Sequence, residues 1–281
     1  MSERGFTPLH ALRVILAIGW SDFVLKYRGS VLGWLWSLIG PLVKFGVILV
    51  IFGPYVEGQI PYYRLYLFLG IIIWEHFAVT TGACISMLHE KASIIQRLPF
   101  PRVLLIFAVG WTNAIVFATH MLVFAVFCVS LGIAWTLSAA YIAVTVVEIT
   151  MLALGIGMLL SAYSLKYRDI PHLWGMLTQI LFWLTPIMYP PAQSGGPAFS
   201  GALTLITEAG RSSLGDVFRL FLDAQPLSVV MHDARRVLLY PALWGVPTFA
   251  HTLGALALTG VIFILGLAVF LRRQESFVQE Y

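Results

Sequence analysis

Long runs of apolar residues alternate with short polar breaks along this chain. About 20 apolar residues cross a bilayer core as an α-helix. Six stretches reach or approach that length: 33–53, 65–87, 103–131, 139–163, 172–189 and 248–271. They predict an all-α integral membrane protein with six transmembrane helices. The stretch 103–131 is uncharged and longer than a crossing needs, which predicts tilt or protrusion.

The segments between the runs carry their own patterns. Leu9, Leu12, Leu16, Trp20, Phe23 and Tyr27 recur at three- and four-residue steps and make one helical stripe. His10, Arg13 and Ser21 fall on a different face. The stretch between Arg13 and Asp22 is too short to cross, so 8–27 reads as an N-terminal interfacial helix. Between spans two and three, "LHEKASIIQRLPFPR" allows two helical turns from Glu90 to Leu98 before Pro99 and Pro101 stop them. A short charged helix of that kind suits docking to a soluble partner, and a solvated turn is the other reading. The stretch 190–247 departs from the apolar pattern. "PPAQSGGPAFSG" is irregular. The later part of the stretch reads as two short helices broken at Gln225 and Pro226. They form either re-entrant helices shielded by protein or a folded cap outside the membrane. The whole of 1–281 reads as one transmembrane domain.

Composition agrees with the pattern. Of 281 residues, 59% are hydrophobic and 11% charged, against about 25% charged in a soluble domain. Mean hydropathy is +0.89. "MSERGFTPLH" has no apolar core with a small-residue cleavage site and does not read as a cleavable signal. Basic runs with interleaved aromatics are absent, so no nucleic-acid partner is expected. Cys84 and Cys128 lie in apolar stretches near opposite membrane faces and are expected as free thiols.

Charge sets the expected orientation. With the N-terminus in the cytosol, 11 of the 17 Lys and Arg residues fall in cytosolic segments, and both termini are cytosolic. The tetrapeptide "LKYR" occurs at 25–28 and again at 165–168, each time just before an outward span, with Trp34 or Trp174 following. Lys and Arg would hold that end in the cytosol while Tyr sits at the interface. Convergent anchoring explains the repeat without a duplication.

Sites of chemistry are sparse. The chain lacks a Gly-Lys pair and therefore a phosphate loop, and Gly155-Ile-Gly157 lacks the third glycine of a dinucleotide fingerprint. Metal-ligand spacings are absent, so no metal site is expected. Lys44, Glu75, His76, His120 and Glu148 lie at membrane depth, where unpaired charge costs several kcal/mol. Glu75 and Glu148 read either as interhelical hydrogen-bond formers or as parts of a proton relay. Trp34, Trp36, Trp174, Phe182 and Trp183 fall on just two spans. Sugar rings present apolar C–H faces that aromatic rings can stack on, so these residues could line a path on which a polysaccharide slides. Ordinary packing and interface anchoring are the other reading.

"LKYRGSVLGWLWSLIGPLV", "RLPFPR", "KYRDIPHLWGMLTQILFWLTPIMYP", "QPLSVVMHDARRVLLY" and "LRRQESFVQEY" together resemble the permease subunit of polysaccharide ABC exporters. That family moves O-antigen, capsule or teichoic acid polymers as lipid-linked chains. The resemblance implies an interfacial helix, six spans and two re-entrant helices between spans five and six. It implies a homodimer in the cell inner membrane with two copies of an ABC ATPase, which binds ATP and Mg. This chain would have no catalytic residue and bind no cofactor of its own.

Residue by residue, the resemblance places Glu90, Lys91, Arg97, Pro99, Pro101 and Arg102 at the ATPase coupling helix. It places Tyr27, Arg28, Trp36, Phe45, Tyr167, Arg168, Trp174, Phe182 and Trp183 along the substrate path. Gln225, Pro226, Asp233, Arg235 and Arg236 would form the outer gate. Two features depart from the family: Gln225 stands where Asn is usual, and 192–213 looks inserted. Three other functions share parts of the pattern. An ABC permease for small drugs or lipids has the same span count. A membrane enzyme acting on polyprenyl phosphates needs an acidic cluster. A secondary transporter needs proton coupling through Glu75 or Glu148.

Overall fold

The computed structural model describes residues 7–58, 60–91, 101–133, 135–189 and 225–273. Its helices are α1 (Pro8–Tyr27), α2 (Trp36–Val56), α3 (Tyr63–Glu90), α4 (Val103–Ser130), α5 (Ile142–Ser164), α6 (Ile170–Leu184), α7 (Pro226–Leu238), α8 (Pro241–Trp244) and α9 (Phe249–Arg273). Short 3-10 turns at Gly33–Leu35 and Leu137–Tyr141 lead into α2 and α5. The expected all-α class holds among the described residues.

Among the described residues, six helices are long and apolar enough to cross a membrane: α1, α2, α3, α4, α5 and α9. The number matches the expectation, but the membership does not. α1, expected in the interface, meets the criterion. Its predicted stripe is only partly turned into the protein: Leu9, Leu12 and Trp20 are exposed, Leu16, Phe23 and Tyr27 are half-buried, and Gly19 is buried. The expected fifth span at 172–189 is not one continuous helix. α6 has 15 residues, about 22 Å at 1.5 Å per residue, short of a core about 30 Å thick. Pro186 is the cause. A residue before proline is pushed out of the α region, and Thr185 ends α6 at φ −78°, ψ 138°. The chain then continues without helix through 185–189, with 185–188 buried.

α3 is the centre of the fold. It is apolar on every side, the pattern of a helix enclosed by others, and 19 of its 28 residues are buried. Near its start Tyr66, Phe68 and Ile72 pack with Val230 and Val237 of α7. Near its end Cys84 and Leu88 pack with Leu105 of α4, Met158 of α5 and Phe270 of α9. Both cysteines are buried and free, as expected.

Glycines set how closely these helices approach. α5 lies between α3 and α9, and "GIG" serves both contacts. A Cβ on Gly155 would stand 2.7 Å from Phe263 Cα of α9. Gly157, two residues on, lies on the opposite side of α5, where a Cβ would stand 2.7 Å from Cys84 Cβ of α3. Gly266 of α9 presses on the Gly155 carbonyl, leaving no room for a side chain. His76 of α3 meets Thr150 of α5 at 3.3 Å, Ser164 Oγ donates to Ile85 O at 3.3 Å, and Arg273 lies 4.0 Å over the Tyr163 ring. These pairings make α3, α5 and α9 parallel. Their C-terminal ends, with the start of antiparallel α4, gather Lys91, Arg102, Lys166, Arg168, Arg272 and Arg273 at one end of the bundle.

Gly266→Ala forces backbone to move and should cost about 1–3 kcal/mol. Gly46→Ala, at a helical glycine with open space around its Cβ position, should leave stability unchanged or slightly raised. Thermal unfolding of the two detergent-solubilised variants checks this; equal melting temperatures would contradict the close crossing.

Candidate functional site

Pro186 leaves a stretch whose carbonyls have no helical donor. In apolar surroundings such groups must be satisfied by other protein groups. α7 supplies the donor. Arg235, 1% exposed, donates from Nη1 to Pro186 O at 2.7 Å and to the Tyr66 hydroxyl at 2.7 Å. From Nη2 it donates to Ile187 O at 2.9 Å and Tyr66 O at 3.3 Å. Its Cζ lies 3.5 Å from the centre of the Tyr66 ring. Tyr66 in turn donates to Tyr189 O at 2.9 Å. A planar five-donor fork makes this possible where a lysine could not. Gly70, one turn along α3, provides the room, because a Cβ there would overlap Nη2.

Other α7 side chains close the same region. Arg236 donates to Trp244 O at 2.7 Å. His251 of α9 meets Asp233 at 2.9 Å. Burial raises the Asp233 carboxyl above its ordinary range, against the lowering pull of His251. The His232 ring stacks on Trp244 with centroids 5.1 Å apart. Burial, with the nearby charges of Arg236 and Arg235 adding to it, pulls His232 down to about 4.

A second polar centre lies about half-way along α3. Pro41 has no N–H, so the Ser37 carbonyl one turn earlier loses its helical donor. His120 of α4 replaces it at 2.9 Å. A carbonyl only accepts, so Nε2 of His120 carries the proton. Glu75 of α3 forms an ion pair with Lys44 of α2, whose ammonium lies 5.2 Å from the Phe182 ring centre of α6. Ser37, Pro41, Glu75 and His120 border a cavity of about 260 Å³ lined also by Lys26, Tyr27, Trp36, His76 and Asn113. The interhelical bond expected of Glu75 is present. The one expected of Glu148 is not: it is fully buried and neither oxygen has a hydrogen-bond partner among the described residues.

The residues anticipated for a path fall in three places. Tyr27 and Trp36 line the cavity. Phe45, Trp174 and Phe182 pack on α3: Phe45 is 5.2 Å from Phe68, Trp174 Nε1 donates to Thr81 Oγ1 at 2.9 Å, and Phe182 stands edge-on to Trp74 at 5.5 Å. Arg28, Tyr167 and Arg168 are exposed after α1 and α5, and Trp183 is 56% exposed on α6. The described residues of one chain do not join these into a single site.

Of the coupling residues, Glu90 is exposed at the end of α3, Lys91 pairs with Asp22 of α1, and Pro101 and Arg102 lead into α4. Arg97 and Pro99 lie outside the described residues, as do 192–213 and the first expected re-entrant helix. Gln225 and Pro226 open α7, and Asp233, Arg235 and Arg236 make the contacts above.

The sequence reading missed Asn113 and Gly70 and left Lys44 and Glu75 unmatched. Pro41 was a usable signal, because a proline inside a span flags a free carbonyl four residues earlier. Asn113 offered only its amide in an apolar run.

Residues 13–206 match the ABC-2 type transporter family. A stretch of 177 residues is 24% identical to the O-antigen export system permease protein RfbA of Myxococcus xanthus, covering 63% of this chain and 68% of that one. A similar stretch of 180 residues is 27% identical to a protein of the same name from Klebsiella pneumoniae, again over 63% and 68% of the two chains.

Arg235→Lys keeps the charge but loses the fork, and should cost about 3 kcal/mol of stability. Gly70→Ala should destabilise by a similar mechanism, since it displaces Nη2. Circular dichroism melting of both variants tests the arrangement. His232 supplies a pH dependence. Its folded value lies below the ordinary 6.5, so between those values the unfolded chain binds a proton that the folded one does not. Stability should fall as pH drops from 7 to 5, by up to about 2 kcal/mol from this group. His232→Gln should flatten that slope, which melting curves across the range would measure.

Proposed function

The chain belongs to the ABC-2 type transporter family and is a multi-pass membrane protein; from that premise we propose that it is the permease subunit of an ATP-driven exporter that moves lipid-linked polysaccharide, most closely of O-antigen type, from the cytosol across the inner membrane. The observation that carries this reading is the similarity to O-antigen export permeases of two organisms. The motif "KYRDIPHLWGMLTQILFWLTPIMYP" and the aromatic load of the first and fifth apolar stretches point the same way.

In this reading the basic end of the bundle faces the cytosol, following the positive-inside rule. Both termini lie there, α1 rests in the interface, and α7 is re-entrant. Two copies of the chain assemble with two copies of an ABC ATPase that binds ATP and Mg and does the hydrolysis. Glu90, Lys91, Arg97, Pro99, Pro101 and Arg102 meet that partner. The Asp22–Lys91 pair favours transmission into α1, since it ties α1 to the end of α3 just before the coupling segment. Aromatic residues of α2 and α6 border the polymer path. Tyr27, Arg28, Tyr167 and Arg168 sit at its entrance, where Arg suits bidentate contact with the lipid phosphate. Gln225, Pro226, Asp233, Arg235 and Arg236 frame the exit.

Deleting the gene in its host should remove polysaccharide from the cell surface while full-length lipid-linked chains build up inside. An unchanged surface would refute the proposal. Changing Arg28 and Arg168 together to Ala should abolish export in a complemented strain, while co-purification with the ATPase stays intact.

A further inference from the structure

We propose that Glu148 of α5 holds a proton at neutral pH and that this proton decides how firmly α7 seats against α5 and α9. The site itself does not rest on the export reading. It explains a group that the contacts above leave unmatched. Glu148 is fully buried, and neither of its oxygens has a partner among the described residues. A buried carboxylate without a cation or donor is costly, and carrying a proton removes that cost. Ionisable groups at membrane depth mark function.

Three helices build its surroundings. Tyr141, Thr145 and Glu148 follow at four- and three-residue steps and share one face of α5 and its lead-in turn. α7 and α9 both pack against α5. From α9, Thr252 Oγ1 meets the Tyr141 hydroxyl at 2.7 Å, and His251 Nε2 donates to Asp233 Oδ2 of α7 at 2.9 Å. Asp233 is fully buried, and its charge reaches Glu148. Tyr141 lies within the fields of Glu148, Asp233 and Arg236 together. The other titratable groups nearby are engaged elsewhere. Arg235 holds the Pro186 and Ile187 carbonyls, and His232 stacks on Trp244. His76 of α3 meets α5 at Thr150, two residues past Glu148 and on the opposite side of the helix. His120 of α4 is taken by Ser37 O. Asp169 and His172 of the α6 start lie beside the far end of α5.

Two carboxyls thus share one apolar junction, where both cannot stay ionised without repelling. Asp233 has His251 and Arg236 to hold a negative charge. No basic group pairs with Glu148 among the described residues, so the proton belongs there. Its O–H has open acceptors in the same junction: Asp233 Oδ1 and Thr145 Oγ1 are buried and unpartnered among the described residues. An internal water can carry the bond where the atoms do not meet directly. A metal ion fits less well, because no three His, Cys, Asp or Glu side chains converge as ligands among the described residues. Losing the proton would set a second negative charge against Asp233 and push α7 from α5. α7 carries Arg235, so the unwound stretch after α6 would lose its donors. The cluster lies toward the N-terminal ends of α5 and α9, opposite the basic end. His251, with its side chain 38% exposed, is its outlet. One consequence alone rests on the export reading: with α7 framing the exit, alkaline medium should slow export.

Infrared spectroscopy of the full chain in nanodiscs at pH 7 reads the proton directly. The wild type should show the C=O stretch of a protonated carboxyl, and Glu148→Gln should lack it. Glu148→Asp, which keeps a carboxyl, should shift the band and serves if the Gln variant does not fold. Absence of the band in the wild type, or a band untouched by either change, overturns the proposal. Melting adds a second readout. As pH rises, the unfolded chain releases a proton that the folded chain keeps, so the wild type loses stability relative to a neutral Gln. Glu148→Gln should melt with the wild type at pH 5 and above it at pH 8, by about 2–4 °C. His232 and the remaining groups titrate in both proteins and cancel. A gap that does not change with pH overturns the proposal. So does stabilisation of the wild type alone by sodium over choline at fixed pH, which would assign the site to a cation. Surface polysaccharide of the deletion strain is scored alongside. Polymer should fall in alkaline medium with the wild-type gene and hold with Glu148→Gln. A surface indifferent to deletion overturns the export reading alone. Polymer indifferent to pH, with the band and the melting gap in place, overturns the exit consequence alone.

Discussion

One guanidinium holds together the part of this fold that helices alone cannot satisfy. Pro186 interrupts the chain where apolar surroundings offer no water to the freed carbonyls. Arg235 answers with donors to Pro186 O and Ile187 O, and braces itself on the hydroxyl and ring of Tyr66. Burying that charge has a desolvation cost of several kcal/mol, which the surrounding acceptors and the Tyr66 ring offset. α7 therefore sits against α3 because its arginine has to meet the acceptors that α3 and the unwound stretch present. Gly70 is where the backbone yields the space.

The same logic recurs at smaller scale. Pro41 frees the Ser37 carbonyl and His120 occupies it, which joins α2 to α4. Lys44 and Glu75 join α2 to α3. Trp174 Nε1 meets Thr81 and joins α6 to α3. Between lipid tails and apolar side chains there is little hydrophobic drive for one helix to prefer another. Partner choice falls to these few polar contacts and to glycines that let backbones approach, as Gly155, Gly157 and Gly266 do.

The proposed export role requires force received at one end to reach a path along the bundle. The basic end gathers Lys91, Arg102, Lys166, Arg168, Arg272 and Arg273, and there Asp22 of α1 is tied to Lys91. Tyr27, little more than one turn further along the same end of α1, lines the cavity. One helix thus touches both the residue just before the segment proposed to meet the ATPase and the polar pocket. Thr112 reinforces its seat by donating to Gly19 O at 2.9 Å, so displacement of α1 would be felt by α4.

By itself the sequence determined the membrane class and the helical content. Those properties are sums along the chain: apolar length decides crossing. It identified Arg235 and the aromatic residues as notable, and Glu75 as in need of a partner. Only the tertiary structure decided that Lys44 is that partner, that Arg235 is buried on the Pro186 and Ile187 carbonyls, that Asn113 borders a cavity, and that 172–189 breaks at Pro186 into a 15-residue helix and a buried turn. Pairing depends on how each helix is rotated and how deep it sits. A chain apolar on nearly every helical face carries almost no periodic signal of rotation, so the contacts that choose it emerge only once the helices are packed.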